Sequence, residues 1–149
     1  MGYIKELREI VGKRPLIVCA CGCIIYDELG RVLLERRVDD GLWGNPGGCM
    51  ELEETPEETV KRKVFEETGL IISEIELFNI YAGEEQHHIF PNGDEVYYVN
   101  IMFKTSNYTG VLKDSDSESL ELKFVAIKDM PTNLSKPFIS VERDLKKQI

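Results

Sequence analysis

The sequence predicts an α/β protein, because segments with the pattern of β-strands alternate with segments that have helical spacing. Three segments carry this prediction: an apolar run over 16–26, a helix with clear start and stop signals over 56–68, and alternating apolar residues over 118–125. The chain has 149 residues, 42% hydrophobic and 30% charged, which suits one globular domain over 1–149. The alternation is compatible with several α/β architectures and does not by itself select one.

The first elements along the chain are a helix and two strands. Residues 1–13 contain a short amphipathic helix, since apolar residues recur at helical spacing between charged ones over 3–11. Its apolar face packs either on the core of its own chain or on a second subunit. The apolar run 16–26 predicts a strand, and 31–37 predicts another. The turn sequence 27–30 between them predicts that the two strands pair as a hairpin.

The second half of the chain is dominated by strands. The sequence predicts a strand over 74–82, a loop over 83–93 and a strand over 95–104, which is rich in β-branched and aromatic residues. A polar loop over 106–117 then leads to the strand that ends at 125. A terminal helix over 136–147 completes the pattern.

Three cysteines alternate within the first apolar run, at Cys19, Cys21 and Cys23. On a strand they project from one face with neighbours about 7 Å apart, which is too far for an undistorted disulfide. A metal cluster remains an alternative, but buried thiols that act as small hydrophobic side chains are favoured. Unpaired cysteines also fit a reducing compartment.

The central helix has the most complete local signals in the sequence. Thr55 is placed as N-cap, Pro56 at the first helical position, and Glu58 three residues after Thr55, which completes a capping box. Gly69 is placed to end the helix in a left-handed conformation. These signals predict a helix over 56–68.

One face of this helix is acidic. At about 100° per residue, Val60 and Val64 form a stripe toward the core, and Lys63, Glu66 and Glu67 fall on an arc beside it. Two carboxylates on one arc repel each other unless a cation lies between them, and their oxygen atoms suit Mg2+ or Mn2+.

The segment before the helix can complete such a cation site. It holds a diglycine turn and an acidic loop. A backbone carbonyl of Gly47 and the carboxylate of Glu54 are the further candidate metal ligands. A glycine turn followed by an acidic helix suits a divalent metal with a phosphate chain.

The segment 48–70 resembles the signature of the Nudix hydrolases, G-x5-E-x7-R-E-U-x-E-E-x-G-U, in which U is aliphatic. Eight of its nine fixed positions agree over 23 residues, namely Gly48, Glu54, Arg62, Val64, Glu66, Glu67, Gly69 and Leu70. The flanking segments 31–37 and 43–48 are also similar to the family. The resemblance implies an α/β/α sandwich with a mixed β-sheet between helices.

The resemblance also implies an activity: metal-dependent cleavage of the pyrophosphate linkage of a nucleoside diphosphate joined to another group. It implies Mg2+ or Mn2+ as cofactor, with Glu66 and Glu67 as direct ligands and Glu54 at the metal or close to it. Many family members carry a glutamate that faces the metals near the position of Glu118, so Glu118 is both a candidate metal ligand and the leading candidate to activate water. Glu121 is the competing candidate.

The chain departs from the signature at Lys63, where the family has a glutamate that commonly binds metal. The exchange changes the local charge by two units, and Lys63 can pair with Glu67 one turn later. The candidate catalytic residues that the resemblance implies are Glu118 and Glu67, with Lys63 in place of the expected glutamate. The alternative is a catalytically impaired domain that binds a nucleotide.

Three residues near the second strand are candidates for substrate binding: Arg36, Arg37 and Trp43. Strand alternation sends the two arginines to opposite faces, so at most one of them reaches a substrate phosphate. Trp43 either stacks on a substrate ring or packs beneath a loop. His87 and His88 do not share a strand face, so solvated or substrate-edge positions are favoured over a metal site.

The charge and the N-terminus limit the partners of the chain. A formal charge of -9 disfavours binding to nucleic acid, which rests on clustered Lys and Arg. The first residues are too charged for a signal peptide, and no apolar run reaches the length of a membrane span. We therefore expect a cytoplasmic protein that binds a small nucleoside diphosphate derivative, with no nucleic-acid or membrane partner. The resemblance leaves a homodimer open.

Overall fold

The computed structural model describes residues 2–114 and 119–148, which form three α-helices and ten β-strands. The helices are α1 (Tyr3–Val11), α2 (Pro56–Thr68) and α3 (Lys136–Lys146). The strands are β1 (Leu16–Ile25), β2 (Val32–Arg37), β3 (Trp43–Gly44), β4 (Gly47–Cys49), β5 (Ile71–Ile72), β6 (Glu76–Tyr81), β7 (His87–Ile89), β8 (Glu95–Thr105), β9 (Tyr108–Thr109) and β10 (Ser119–Val125).

The largest sheet is mixed, as predicted. Its strand order is β4-β1-β8-β6, and β7 pairs with β8 beside this path. β1 runs parallel to β8 from the pair Leu16–Val96 to the pair Ile25–Thr105 and antiparallel to β4. A second, antiparallel sheet has the order β10-β2-β3, and β5 pairs with β9.

The predicted hairpin of the first two strands is wrong. The turn after β1 is present, but the two strands share only one bridge, between Tyr26 and Val32. The reason is that both edges of β1 are already paired, one with β4 and the other with β8. β2 therefore pairs with β10, which comes from the far end of the chain.

Helix α2 is confirmed from its first to its last residue. The Thr55 side chain accepts a hydrogen bond from the Glu58 N–H, and the Glu58 carboxylate accepts one from the Thr55 N–H, so the capping box is complete. Gly69 ends the helix at φ 82°, a left-handed conformation that glycine adopts without strain. Both ends of the acidic helix are thus fixed by local interactions.

The sheets are packed between α2 and α3, which gives the predicted sandwich. One buried cluster includes Val60 and Val64 of α2, and the other includes Phe138, Val141 and Leu145 of α3. α1 lies outside these clusters and has no fully buried residue. Its predicted bounds are nevertheless confirmed.

Two segments predicted as loops contain short strands. The segment 83–93 includes β7, which pairs with β8, and the segment 106–117 includes β9, which pairs with β5.

Cys21 and Cys23 are buried and Cys19 is partly exposed, and all four cysteines are free thiols. Among the described helices, none combines the length and apolarity needed to cross a bilayer.

Candidate active site

A cavity of about 510 Å3 opens where the glycine turn, α2 and β2 meet. One end is lined by Gly47, Gly48, Lys63 and Glu67, and β2 contributes Glu35 and Arg37 to the wall. The structure thus brings together four residues predicted for the site, namely Gly47, Lys63, Glu67 and Arg37. The volume of this cavity falls within the range of about 300 to 1,000 Å3 that is usual for small-molecule sites.

The glycine turn is closely packed by backbone at Gly47 and by a side chain at Gly48. A Cβ on Gly47 would lie 2.4 Å from the backbone oxygen of Cys21, and a Cβ on Gly48 would lie 2.4 Å from Cε of Lys63. The first of these neighbours is backbone and cannot move without distorting β1. The Gly47 N–H is aimed at the site and donates a hydrogen bond of 2.9 Å to Oε1 of Glu67.

Glu67 is the buried carboxylate of the site, with 3% of its surface exposed. Burial raises its pKa above the ordinary glutamate value, and the nearby Glu35 adds to the rise, whereas Lys63 and the Gly47 N–H favour the charged form. Glu35 is equally buried and accepts a hydrogen bond of 2.5 Å from the Ser119 hydroxyl. Two acidic groups therefore share one enclosed region.

Lys63 extends into the space between two glutamates of its own helix. Its Nζ lies 3.6 Å from Oε1 of Glu66 and 3.7 Å from Oε2 of Glu67. Both distances exceed the usual length of an N–H···O hydrogen bond, so the ammonium is held by charge rather than by directed bonds. Glu66 itself is exposed and does not line the cavity.

Glu54 is engaged by a different cation. Its carboxylate accepts hydrogen bonds from Nε and Nη2 of Arg62 at 2.6 and 2.9 Å. The Thr59 hydroxyl and the Glu51 N–H donate two more. The Arg62 hydrogen bonds, above all, lower the pKa of Glu54 to about 2. The arrangement clamps the acidic loop onto α2 and leaves Glu54 outside the cavity wall.

The two arginines of β2 separate as alternation predicts. Arg37 lines the cavity and makes two hydrogen bonds of 3.0 Å to Asp39, which also lies on the wall. Arg36 faces the other way, with its guanidinium 5.9 Å from the centre of the Trp43 ring. Trp43 is 5% exposed and packs in the core, so neither Arg36 nor Trp43 forms part of the cavity wall.

Three aromatic rings also line the cavity. His88 packs edge-on against Phe90 at 4.6 Å between ring centres and stacks on Tyr98 at 6.5 Å. Burial lowers the pKa of His88 and raises that of Tyr98, so both rings are uncharged at neutral pH. We refer to His88, Phe90 and Tyr98 as the aromatic wall.

The sequence alone did not point to Glu35, Asp39, Phe90 or Tyr98. Glu35 had a usable signal, because it lies two residues before Arg37 on one strand and therefore shares its face. His88 was predicted at a solvated or substrate-edge position, but its two partners in the aromatic wall had no signal, since the pairing of β7 with β8 is not visible in the sequence. Glu118 lies outside the described residues, and Glu121 is half-exposed and pairs with Lys123 at 3.9 Å.

The carboxylate and backbone oxygens of the site are groups that can bind a cation. The Lys63 ammonium lies between Glu66 and Glu67. Carboxylate and backbone oxygens are the ligands that Mg2+ and Mn2+ prefer. Within residues 2–114 and 119–148, no three acidic, histidine or cysteine side chains converge on one metal position.

Fold and site together define a class of protein, in which a glycine turn and an acidic helix meet at a cavity beside a mixed sheet. A family model for the NUDIX domain matches residues 18–146. A solved MutT NUDIX hydrolase from Burkholderia pseudomallei superposes with a TM-score of 0.71 at 25% identity, over 87% of this chain and 97% of that one.

Relatives found by sequence similarity support the same family. A MutT-like protein of Streptomyces ambofaciens is 45% identical over 79 residues, covering 53% of this chain and 51% of that protein. An ADP-ribose pyrophosphatase of Methanocaldococcus jannaschii is 31% identical over 110 residues, covering 72% and 61%. These matches span between half and two thirds of the relatives' length. Because the family model covers most of the chain, the chain belongs to the Nudix family.

Proposed function

We propose that this chain hydrolyses the pyrophosphate linkage of a nucleoside diphosphate joined to another group. The observation that carries the proposal is that Lys63, Glu67, Arg37 and the aromatic wall all line a single cavity. Cationic side chains suit the diphosphate, and the aromatic wall suits a base stacked on its rings. An ADP-ribose pyrophosphatase among the relatives supports this substrate class.

We further propose Mg2+ or Mn2+ as the cofactor, with Glu66 and Glu67 as its direct ligands and a Gly47 carbonyl beside them. Such an ion neutralises phosphate oxygens and lowers the pKa of bound water. Glu54 contributes by holding the loop and Arg62 in place, since its carboxylate is already saturated with hydrogen bonds.

Arg37 and Glu118 complete the proposed machinery. Arg37 faces the cavity and can bind a phosphate oxygen, provided that it exchanges part of its pairing with Asp39. We propose Glu118 as the general base. The next residue, Ser119, bonds to Glu35 of the cavity wall, so the start of β10 lies at the cavity. The cytoplasmic location and a homodimer stay predictions of the sequence.

The test is product analysis with nucleotide sugars, dinucleotides and nucleoside triphosphates, each with Mg2+, Mn2+ or EDTA. We expect metal-dependent release of a nucleoside monophosphate from at least one of them. The Glu67→Gln variant should lose this activity, and Glu57→Gln, an exposed residue of the same helix, should retain it. Absence of hydrolysis across the whole panel would overturn the proposal.

The base is tested by a pair of variants. Glu118→Gln should lower kcat about 100-fold or more, the usual scale for loss of a positioned proton acceptor. Glu121→Gln should stay within about twofold of the unaltered chain, because its carboxylate is exposed. The opposite order would assign the base to Glu121.

A second candidate is a Nudix domain that binds a nucleotide without efficient turnover. The position of Lys63 between Glu66 and Glu67 favours it, because an ammonium there opposes metal binding. The Lys63→Glu variant separates the two. A rise in rate of several orders of magnitude supports the impaired site, and an unchanged rate supports a hydrolase whose base lies elsewhere.

A further inference from the structure

The Lys63 side chain lies against two glutamates of its own helix and against Gly48 of the glycine turn. Its ammonium lies 3.6 Å from Glu66 and 3.7 Å from Glu67, on the acidic face of α2. Its aliphatic part crosses Gly48 so closely that a Cβ there would meet Cε at 2.4 Å and Cδ at 3.0 Å. With 20% of the side chain exposed, Lys63 is largely enclosed by the glycine turn and its own helix.

The charges around the ammonium explain why it takes this position. Glu67 is buried, Glu35 lies close enough to influence its ionisation, and Glu66 lies at the exposed side of the Lys63 ammonium. In their charged forms these carboxylates would repel one another in a region of low dielectric. Lys63 supplies one positive charge close to two of them, Glu66 and Glu67.

The neighbouring cation of the same helix shows a different kind of contact. Arg62 binds Glu54 through two hydrogen bonds of 2.6 and 2.9 Å, which fix its guanidinium. The Lys63 contacts have no such directed bonds. An ammonium on a flexible stem is therefore free to leave if a group of higher charge takes its place.

We propose that Lys63 is the resident cation of this site: in the absence of ligand its ammonium occupies the position between Glu66 and Glu67, and a divalent ion binds there only by displacing it. The inference deepens the proposed function and rests on the metal site named there. It implies that the unaltered chain binds Mg2+ or Mn2+ weakly, and that the positive charge of Lys63 weakens binding beyond the loss of the glutamate that the family signature has at this position.

The test measures Mn2+ binding to the full chain without any nucleotide, from the electron paramagnetic resonance signal of the free ion. Lys63→Met, which keeps the stem and removes the charge, should bind Mn2+ about tenfold more tightly or better, because a like charge at close range is lost. Lys61→Met, an exposed lysine on the same helix, is the matched control and should leave the affinity unchanged. Equal affinity of Lys63→Met and the unaltered chain overturns the proposal.

A second measurement guards against a variant that folds poorly. In Lys63→Met, Mg2+ should raise the thermal midpoint clearly more than in the unaltered chain, since the ion replaces the lost ammonium. Adding Glu67→Gln to this variant should abolish the gain, which locates the ion at the proposed position. A gain that survives Glu67→Gln would place the ion elsewhere and reject the inference.

Neither measurement uses a substrate, so the inference and the proposed function fail separately. If no compound of the panel is hydrolysed but Lys63→Met gains Mn2+ affinity, the inference stands and the hydrolase proposal falls. If hydrolysis is found and Lys63→Met gains nothing, only the inference falls.

Discussion

Glu54 lies just before α2 and Glu67 lies in its last turn, and each faces a cationic side chain of that helix, but their surroundings differ. Glu54 accepts four hydrogen bonds, two of them from Arg62, and its pKa falls to about 2. Glu67 is buried beside Glu35, faces Lys63 at 3.7 Å, and has a raised pKa. The carboxylate of Glu54 is thus held by directed hydrogen bonds. Glu67 is a buried acid with a shifted pKa, which is a common property of functional sites.

The largest expected effect is on enzymatic activity, and it distinguishes Glu67 from Glu54. We expect Glu67→Gln to lower kcat about 100-fold or more, because a neutral amide is a weak metal ligand and removes charge from the reacting end of the cavity. Steady-state kinetics on the substrate found in the panel gives the number. A loss below about tenfold would mean that Glu67 serves the fold rather than the reaction.

The next effect compares the two cations by stability. Arg62→Met should lower the free energy of unfolding by about 2 kcal/mol, because it leaves the Glu54 carboxylate without its main donors. Lys63→Met should lower it by less than about 1 kcal/mol, since only loose ion pairs are lost and Glu67 can take up a proton. Urea denaturation in EDTA measures both. Equal losses would mean that the Arg62–Glu54 hydrogen bonds and the Lys63–Glu67 ion pair stabilise the fold to the same extent.

A smaller effect follows from pH. The folded-state pKa of Glu67 is raised, so the folded chain binds more protons than the unfolded one above the ordinary glutamate pKa of about 4.3. Stability due to this group is therefore complete below that pH and is lost as the pH rises through the folded-state pKa. We expect Glu67→Gln to be more stable than the unaltered chain near pH 8, by about 1 kcal/mol, and not near pH 4. Denaturation in EDTA at both pH values checks this, and a difference independent of pH contradicts it.

The smallest effect probes the stem of Lys63. Gly48→Ala puts a methyl group against the lysine chain and should cost about 0.5–1 kcal/mol, because a flexible side chain can shift. In a Lys63→Ala background the same change should be neutral or stabilising, since the space is free. A double-mutant cycle measures the coupling. Equal costs in both backgrounds would show that the stem does not lie over Gly48.

The sequence predicted the parts of the site that depend on local chemistry. The capping box, the stop at Gly69 and the acidic face follow from spacing within one helix, and the structure places them as predicted. The separation of Arg36 and Arg37 follows from strand alternation. These features need no knowledge of distant contacts, so the sequence contains them in full.

Features that depend on pairing between distant segments could not be predicted from the sequence. The hairpin prediction failed because β4 and β8 pair with the two edges of β1, and β8 begins almost 80 positions after the start of β1. The aromatic wall depends on the pairing of β7 with the same strand. The hydrogen bond from Gly47 to Glu67 joins residues 20 positions apart, and only the packing of the turn on α2 brings it about.

Trp43, the only tryptophan of the chain, offers a built-in spectroscopic probe. Its ring is 5% exposed, and the Arg36 guanidinium and the Lys123 ammonium lie 5.9 and 4.8 Å from its centre. Native emission should therefore be blue-shifted and poorly quenched by acrylamide, and denaturation should shift it to longer wavelength. Because the indole stands apart from the cavity wall, nucleotide titrations should barely alter this signal, so the same fluorophore can follow unfolding in the presence of any ligand.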